Sequence, residues 1–491
     1  IVDGYLVYNS KCHIPSLNLT NRAMRKFVRK MEFEPCRSTP LLSSIVEQTN
    51  GRHSLTHPYT NSSLKDSDSK ISVSDCVDFE NTVLLPMDLE TVMVSCRVNK
   101  PIRTIKKRII YENIHAIVNS LKIQRSENKF ASMNDKFHHD LKKMSILILG
   151  VDSVSRLNFL RSLPNTDKYL RETGWFNLKG YNKVGLNTFP NLMALLTGQN
   201  IETNAGYVTG HGEDDTSQNT FNFFSVGFVN PPTDYYLCPY IVASEKLLKP
   251  KANFNSEKYC TGPESAIDRI FNYAANFSKA FLNTPYFGFF WTNSISHDCM
   301  NGISSMDTET FVGGHEDRLP FIYLRIPKQH EDNDKITQAL KINENRLTSH
   351  YDLHETLRDV LIRSGGKMDS SSGCPRCQSL FEIVPLERSC EDAGISSQYC
   401  TCTTTEMMDQ NDKNIGELLG SKIFLDYVES VIEEFKNEKK ERLYSQLQLK
   451  KIHQINEIID VNNNNTKIMN KKYSYRLEVT PGGGMFEFVR R

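Results

Sequence analysis

Two positions in this chain combine a reactive side chain with a setting that could use it. The first is Asp152. It ends the apolar run Met144-Ser145-Ile146-Leu147-Ile148-Leu149-Gly150-Val151, which shows no alternation. Such a run reads as a strand buried on both faces of a parallel sheet. An acid just past its carboxyl end sits where open α/β sheets form their ligand crevice. The plainer alternative is that Asp152 and Ser153 only cap the following turn. The second position is Thr188, in Asn187-Thr188-Phe189-Pro190-Asn191-Leu192-Met193-Ala194-Leu195-Leu196-Thr197-Gly198. Pro in the first turn and Gly at the end mark a helix. Its free N–H groups and positive dipole end favour an anion, so a hydroxyl there can be held as an alkoxide or set against a phosphate. Here too a bland reading exists, in which Thr188 or Asn187 is an N-cap.

These positions need a scaffold, and the sequence outlines one. A helix over about Asn165 to Thr173 and a strand near Trp175 to Lys179 continue a βαβ rhythm from the run at Met144. Pro285 to Trp291 and Leu319 to Ile326 are further buried-strand candidates. Ser349-His350-Tyr351-Asp352 has capping-box form and opens a helical period to Arg363. Three regions follow: an accessory stretch 1–141 with short β-type runs at Gly4 to Tyr8 and Thr91 to Arg97, an α/β core over 142–365, and a Cys-containing α+β region over 366–491. In the last, about Ile415 to Asp460 reads as amphipathic helix, and Tyr475 to Val479 and Met485 to Val489 as strands. Trp175 and Trp291 read as core.

Lys+Arg of 59 against Asp+Glu of 58, mixed along the chain, argue against a nucleic-acid partner. Twelve cysteines, with Asn-x-Ser/Thr sites at Asn18, Asn61, Asn276 and Asn464, fit an extracellular or lumenal, glycosylating compartment. Cys12 with Cys36 and Cys76 with Cys96 can form local bridges, although four cysteines allow three connectivities. Cys374-Pro375-Arg376-Cys377 with Cys400-Thr401-Cys402 could be a zinc knuckle, but Cys-x-Cys is poor ligand spacing and disulfides are the expectation. No apolar stretch is long enough for a membrane span. The chain starts at Ile1 without Met, which leaves room for a signal peptide or a membrane anchor upstream.

Several longer motifs carry a resemblance. They are Gly150-Val151-Asp152-Ser153-Val154-Ser155-Arg156-Leu157-Asn158, Gly180 through Asn191, Phe289-Phe290-Trp291-Thr292-Asn293-Ser294 with His297-Asp298, Glu316 through Phe321, Cys390-Glu391-Asp392-Ala393-Gly394, and Pro481 through Glu487. Over nearly the whole chain these resemble the DUF229 family, secreted or membrane-anchored proteins expanded in nematodes, within the alkaline-phosphatase-like and sulfatase-like superfamily. The resemblance implies an α/β, alkaline-phosphatase-like core with a mostly parallel central sheet flanked by helices. It implies that Asp152 binds a divalent metal, Zn or Mn, and that Thr188 is the metal-activated nucleophile on a phosphoester or similar anionic substrate. His297 would be a metal ligand or a base near the substrate, with Asp298 and Asn293 weaker candidates, and His350 the late histidine that completes the site.

The sequence also departs from that pattern. Related folds place an Asp-His dipeptide, two metal ligands, before the segment matching Glu316 to Phe321, and this chain has none. A strand near Asp307 is expected to be missing, and a second shortening follows Gln199-Asn200. His211, Asp214, Asp215 and His315 could substitute, though no spacing singles them out. Thr188 and Leu192 stand where sulfatases carry Cys or Ser and Arg, so phosphoester hydrolysis is expected over sulfoester hydrolysis. Two rival expectations remain: a catalytically inactive extracellular binding scaffold, or an incomplete splice form or gene product of an active enzyme.

Overall fold

The computed structural model describes, apart from isolated positions, residues 3–17, 52–60, 71–79, 88–97, 109–128, 144–197, 207–221, 230–252, 258–297, 317–327, 334–364, 370–402, 404–407, 448–459, 472–480 and 485–490. At its centre lies a mostly helix-flanked parallel sheet. Strand β1 (Ile146–Val151) leads into helices α1 (Arg156–Ser162) and α2 (Pro164–Glu172), then β2 (Gly180–Asn182) and α3 (Thr188–Leu196). Next come β3 (Val208–Glu213), β4 (Tyr235–Tyr236), α4 (Cys238–Leu247), α5 (Ala266–Ala280), β5 (Tyr286–Thr292), β6 (Leu347–Ser349) and α6 (His350–Arg363). The order β4-β3-β5-β1 is parallel throughout. A separate parallel pair joins β2 to β6.

The α/β expectation is therefore met, and an alkaline-phosphatase-like core is compatible with it. Register explains why the sheet can carry a site. Glu213, Trp291 and Gly150 stand side by side at the carboxyl ends of β3, β5 and β1. The residues just beyond, Asp214, Asn293 and Asp152, consequently emerge at one edge. Amphipathic α5 closes one face. Its buried Ala266, Arg269, Ile270, Tyr273, Ala274 and Phe277 fall on one stripe, and Phe277 packs against Phe290 of β5 at 5.7 Å between ring centroids. Ser265 caps this helix by accepting from the Asp268 N–H. On the other face Leu192 and Leu195 of α3 join Leu353 of α6 and Phe289 of β5 in a second apolar cluster.

Several local expectations change. Among the described residues β1 is an edge strand bonded only to β5, its Leu147 and Leu149 are 38% and 50% exposed, and burial on both faces is not found. Of Leu319 to Ile326 only Tyr323–Leu324 is a strand, paired antiparallel with Phe176–Asn177. Residues 448–459, expected as the end of a long helix, form a strand in an antiparallel sheet with 404–407, 472–480 and 485–490. The rest of that expected helix, 415–447, lies outside the described residues.

The cysteine pairing is corrected too. Cys12 is bonded to Cys402 and Cys36 to Cys260, while Cys76 and Cys96 are not in disulfides. Cys374–Cys377 and Cys390–Cys400 complete the four disulfides among the described residues. Two of the bridges tie the amino-terminal region to distant parts of the fold. A buried hub does the same without covalent bonds. Arg269 of α5 donates to the carbonyl of Ile114 at 2.7 Å and to the side chain of Asn113 at 2.6 Å, on the 109–116 strand of an antiparallel amino-terminal sheet.

Candidate functional site

The turn after β1 is tight and unusual. The Asp152 N–H donates to the Thr292 carbonyl at 2.9 Å, which extends the β1–β5 pairing by one step. The chain then turns through Ser153, whose φ of 54° is the left-handed region that costs a residue with a side chain about 1 to 2 kcal/mol. That turn places the Asp152 carboxylate, only 2% exposed, over the sheet edge. Its Oδ2 accepts from the Ser153 hydroxyl at 2.9 Å.

Thr188 arrives from α3. It is the first residue of that helix, preceded by Asn187 as N-cap, and Asn187 makes no side-chain capping bond. The Thr188 hydroxyl donates instead to Asp152 Oδ1 at 2.6 Å. The capping alternative thus does not describe how this hydroxyl is used. Its placement depends on Asn191. The Asn191 side-chain oxygen accepts from Val184 N at 2.8 Å and Gly185 N at 3.1 Å. Its amide nitrogen donates to the carbonyls of Gly185 and Asn187 at 3.0 and 2.7 Å. All four hydrogen-bonding valences of one amide hold the loop that delivers Thr188. Lys183, at the start of that loop, donates to Asp317 at 2.5 Å.

His297 reaches the same spot from β5. Past the strand, the Ser296 and His297 N–H groups fold back onto the Asn293 carbonyl at 3.1 and 3.0 Å. His297 Nε2 then lies 3.9 Å from Asp152 Oδ2, with its ring about one-third exposed. The turn is latched by Asp214, which follows β3. Its Oδ1 accepts from the N–H groups of Asn293 and Ser294 at 2.6 and 3.2 Å, and its Oδ2 from the Ser294 hydroxyl at 2.6 Å. Full burial of this carboxyl pushes its pKa up to about 7, against the pull of those three donors. Neighbouring Glu213 accepts from the Asn293 side-chain amide at 3.0 Å and from Thr220. Asn293 is therefore committed to Glu213.

The structure thus brings Asp152, Thr188 and His297 together. His350 opens α6 and packs its ring, tilted, against that of Tyr181 at 4.7 Å between centroids, and no hydrogen bond or ion pair joins it to those three among the described residues. Burial pushes its pKa down to about 3, so it is neutral at ordinary pH. His211 lies between Tyr236 and Phe289 rings, 3.3 Å from Glu213, and Asp215 accepts from Ser217. Asp298 and His315 lie outside the described residues, as do the glycosylation candidates Asn18, Asn61 and Asn464. Asn276 is exposed on α5.

As a metal site this donor set is short. Two ligands held by one ion at about 2.1 Å stand roughly 3.4 Å apart, close to the Asp152–His297 separation, but such sites use three or four protein ligands. Among the described residues only Cys390, Cys400 and Cys402 bring three ligand-type atoms together, and all three are in disulfides.

A family model described as "Protein of unknown function (DUF229)" matches residues 23–205, 202–312 and 308–453. The chain belongs to the DUF229 family. No curated protein and no solved structure matches it. The DUF229 match is made of three segments that meet at 202–205 and 308–312, beside the two places where a shortening was expected. The residues just before each junction, up to Leu196 in α3 and His297 after β5, carry the assembled part of the site.

Proposed function

We propose that this DUF229 protein is built on the alkaline-phosphatase-like plan as a phosphoester hydrolase, with Thr188 as nucleophile and Asp152 and His297 as the two protein donors for a divalent ion, Zn or Mn. The observation that carries this reading is the Thr188 hydroxyl, at a helix amino terminus, donating at 2.6 Å to an acid at a strand's carboxyl end. A divalent ion bound there supplies charge neutralisation and a lowered hydroxyl pKa. The chain's own part is to hold the Thr188 oxygen in place through Asn191, direct its proton at the Asp152 carboxylate, and set His297 beside them through Asp214. Four disulfides, and no membrane-spanning helix among the described residues, fit an extracellular or lumenal setting.

The test is hydrolysis of a small aryl phosphodiester by the purified chain with added Zn²⁺ or Mn²⁺, alongside its metal content. Turnover that Thr188→Val abolishes supports the reading. Metal-loaded protein without Thr188-dependent turnover rejects it. A second reading, a binding scaffold without catalysis, is favoured by one observation: the sequence contains no Asp-His dipeptide. A missing exon near Asp307, sought in the genomic sequence, separates that reading from an incomplete form of an active enzyme.

A further inference from the structure

Cys374 and Cys377 close a disulfide across three residues in a loop that carries the exposed Pro375 and Arg376 at its tip. Most of what surrounds it is built around a buried ion pair. Arg388, 2% exposed, donates from Nη1 and Nη2 to the two carboxylate oxygens of Asp352, both at 2.9 Å. Asp352 also accepts from the N–H of Ser349 and of Gln378, the residue after Cys377. The same Arg388 Nη2 points at Cys377 Sγ, 3.3 Å away. Cys377 is half-buried, and Cys374 is buried with its sulfur 3.6 Å from the Asp392 carbonyl. Arg376 reaches over to pair with the Asp392 carboxylate.

The geometry points to Cys374–Cys377 as a thiol–disulfide exchange site that reacts with dithiols, with Cys377 as the sulfur attacked and later held as a thiolate. The short closed loop makes it the weakest of the four bridges as a chain staple, since stabilisation by cross-linking grows with the span closed. Its surroundings serve exchange instead. A guanidinium beside a sulfur favours an anionic attacker and a resident thiolate alike. A thiolate of the dithiol attacks Cys377 Sγ, the S–S bond breaks, and its electron pair leaves on Cys374, which takes a proton from solvent and can donate it to the Asp392 carbonyl. The second thiol of the reagent, once deprotonated, attacks the first in the mixed disulfide. That step releases Cys377 as a thiolate against Arg388 Nη2 and the dithiol as its own disulfide. Two electrons pass from reagent to protein, and the reverse sequence oxidises a dithiol.

The intact chain tests this without any assay of hydrolysis. It is equilibrated across ratios of reduced to oxidised dithiothreitol, trapped with iodoacetamide and mapped by peptide mass. Cys374 and Cys377 are expected to take up label at a reduced fraction about tenfold below that which opens the other three disulfides. Opening together with them, or after them, overturns the proposal. A second measurement uses Cys374→Ser, which leaves Cys377 as a thiol, with the exposed free Cys76 as an internal reference. At neutral pH Cys377 is expected to alkylate several-fold faster than Cys76 although it is less exposed. An equal or slower rate shows that Arg388 does not hold a thiolate there and overturns the proposal.

Discussion

The indole of Trp291 lies across the Cα of Gly150, so close that a Cβ built there would sit 1.7 Å from its Cε3. The two residues are register partners on β5 and β1, and Gly150 is two residues from Asp152. No neighbour can give by that much, because the Trp291 ring is itself stacked on Phe289 at 5.6 Å. Gly150→Ala is therefore expected to cost at least about 3 kcal/mol, beyond the usual range for overpacking. A chemical melt checks it. Combining it with Trp291→Leu should recover a large part of the loss, and a double mutant no more stable than Gly150→Ala alone would count against this account.

Thr188→Val keeps the shape and removes the hydroxyl. Phosphodiester turnover is expected to fall to background, with a modest stability loss of about 1 kcal/mol from leaving Asp152 Oδ1 without its donor. Thr188→Ser keeps the donor and should retain measurable turnover. Parallel kinetics and melting of the two variants separate a chemical role from a structural one.

Asn191→Leu removes four hydrogen bonds to the 184–187 backbone. The expected cost is about 3 kcal/mol, on the scale of two or three buried groups left unmatched. Faster amide exchange at Val184 and Gly185, relative to amides in α5, would localise the damage to the loop that delivers Thr188.

Two buried groups are expected to oppose each other in the pH dependence of stability. His350 has a folded pKa of about 3, below its unfolded value, so its contribution is complete above about pH 6.5 and is lost as pH falls towards 3. Asp214 has a folded pKa of about 7, above its unfolded value, so its contribution is present below about pH 4 and is lost as pH rises towards 7. Between roughly pH 4 and 6.5 the two trends offset. Against the parent, Asp214→Asn should therefore show stability rising more steeply with pH in that window, and His350→Gln the reverse. Denaturant melts at several pH values, read as differences from the parent, decide it; a variant curve parallel to the parent's rejects the corresponding pKa.

The parts of the site that were legible in sequence are those fixed by local rules. Asp152 follows an apolar run ended by Gly150, Thr188 opens a Pro-started helix, and Ser349 with Asp352 makes the capping box at α6 that its spacing announced. Asp214 was not legible as a positioning residue, because its work is done on backbone brought near by folding, 79 and 80 residues away, and Asn191, which works on the adjacent 184–187 backbone, reads in sequence as an ordinary first-turn helix residue. A Glu-Asp-Asp end to a strand-like run was the available signal. The helical misreading of 448–459 has a specific cause. Leu449, Ile452 and Ile455 recur every three residues, a helical spacing. They stand opposite Val479, Leu477 and Tyr475, which recur every two, and the register shifts at Leu449/Lys451 and Ile452/Gln454 absorb the difference. Disulfide partners separated by 390 and 224 residues carry no local signal at all.

The Cys12–Cys402 bond has one more consequence. It closes a covalent ring that contains Asp152, Thr188, His297 and His350. A peptidase cutting a single loop inside that ring adds one water to the molecule and frees nothing; the pieces part only when the sulfurs do. On a gel run without reductant, a cut chain and a whole one would keep the same mass to within that water, and the history of cleavage would be written only in the reduced lane.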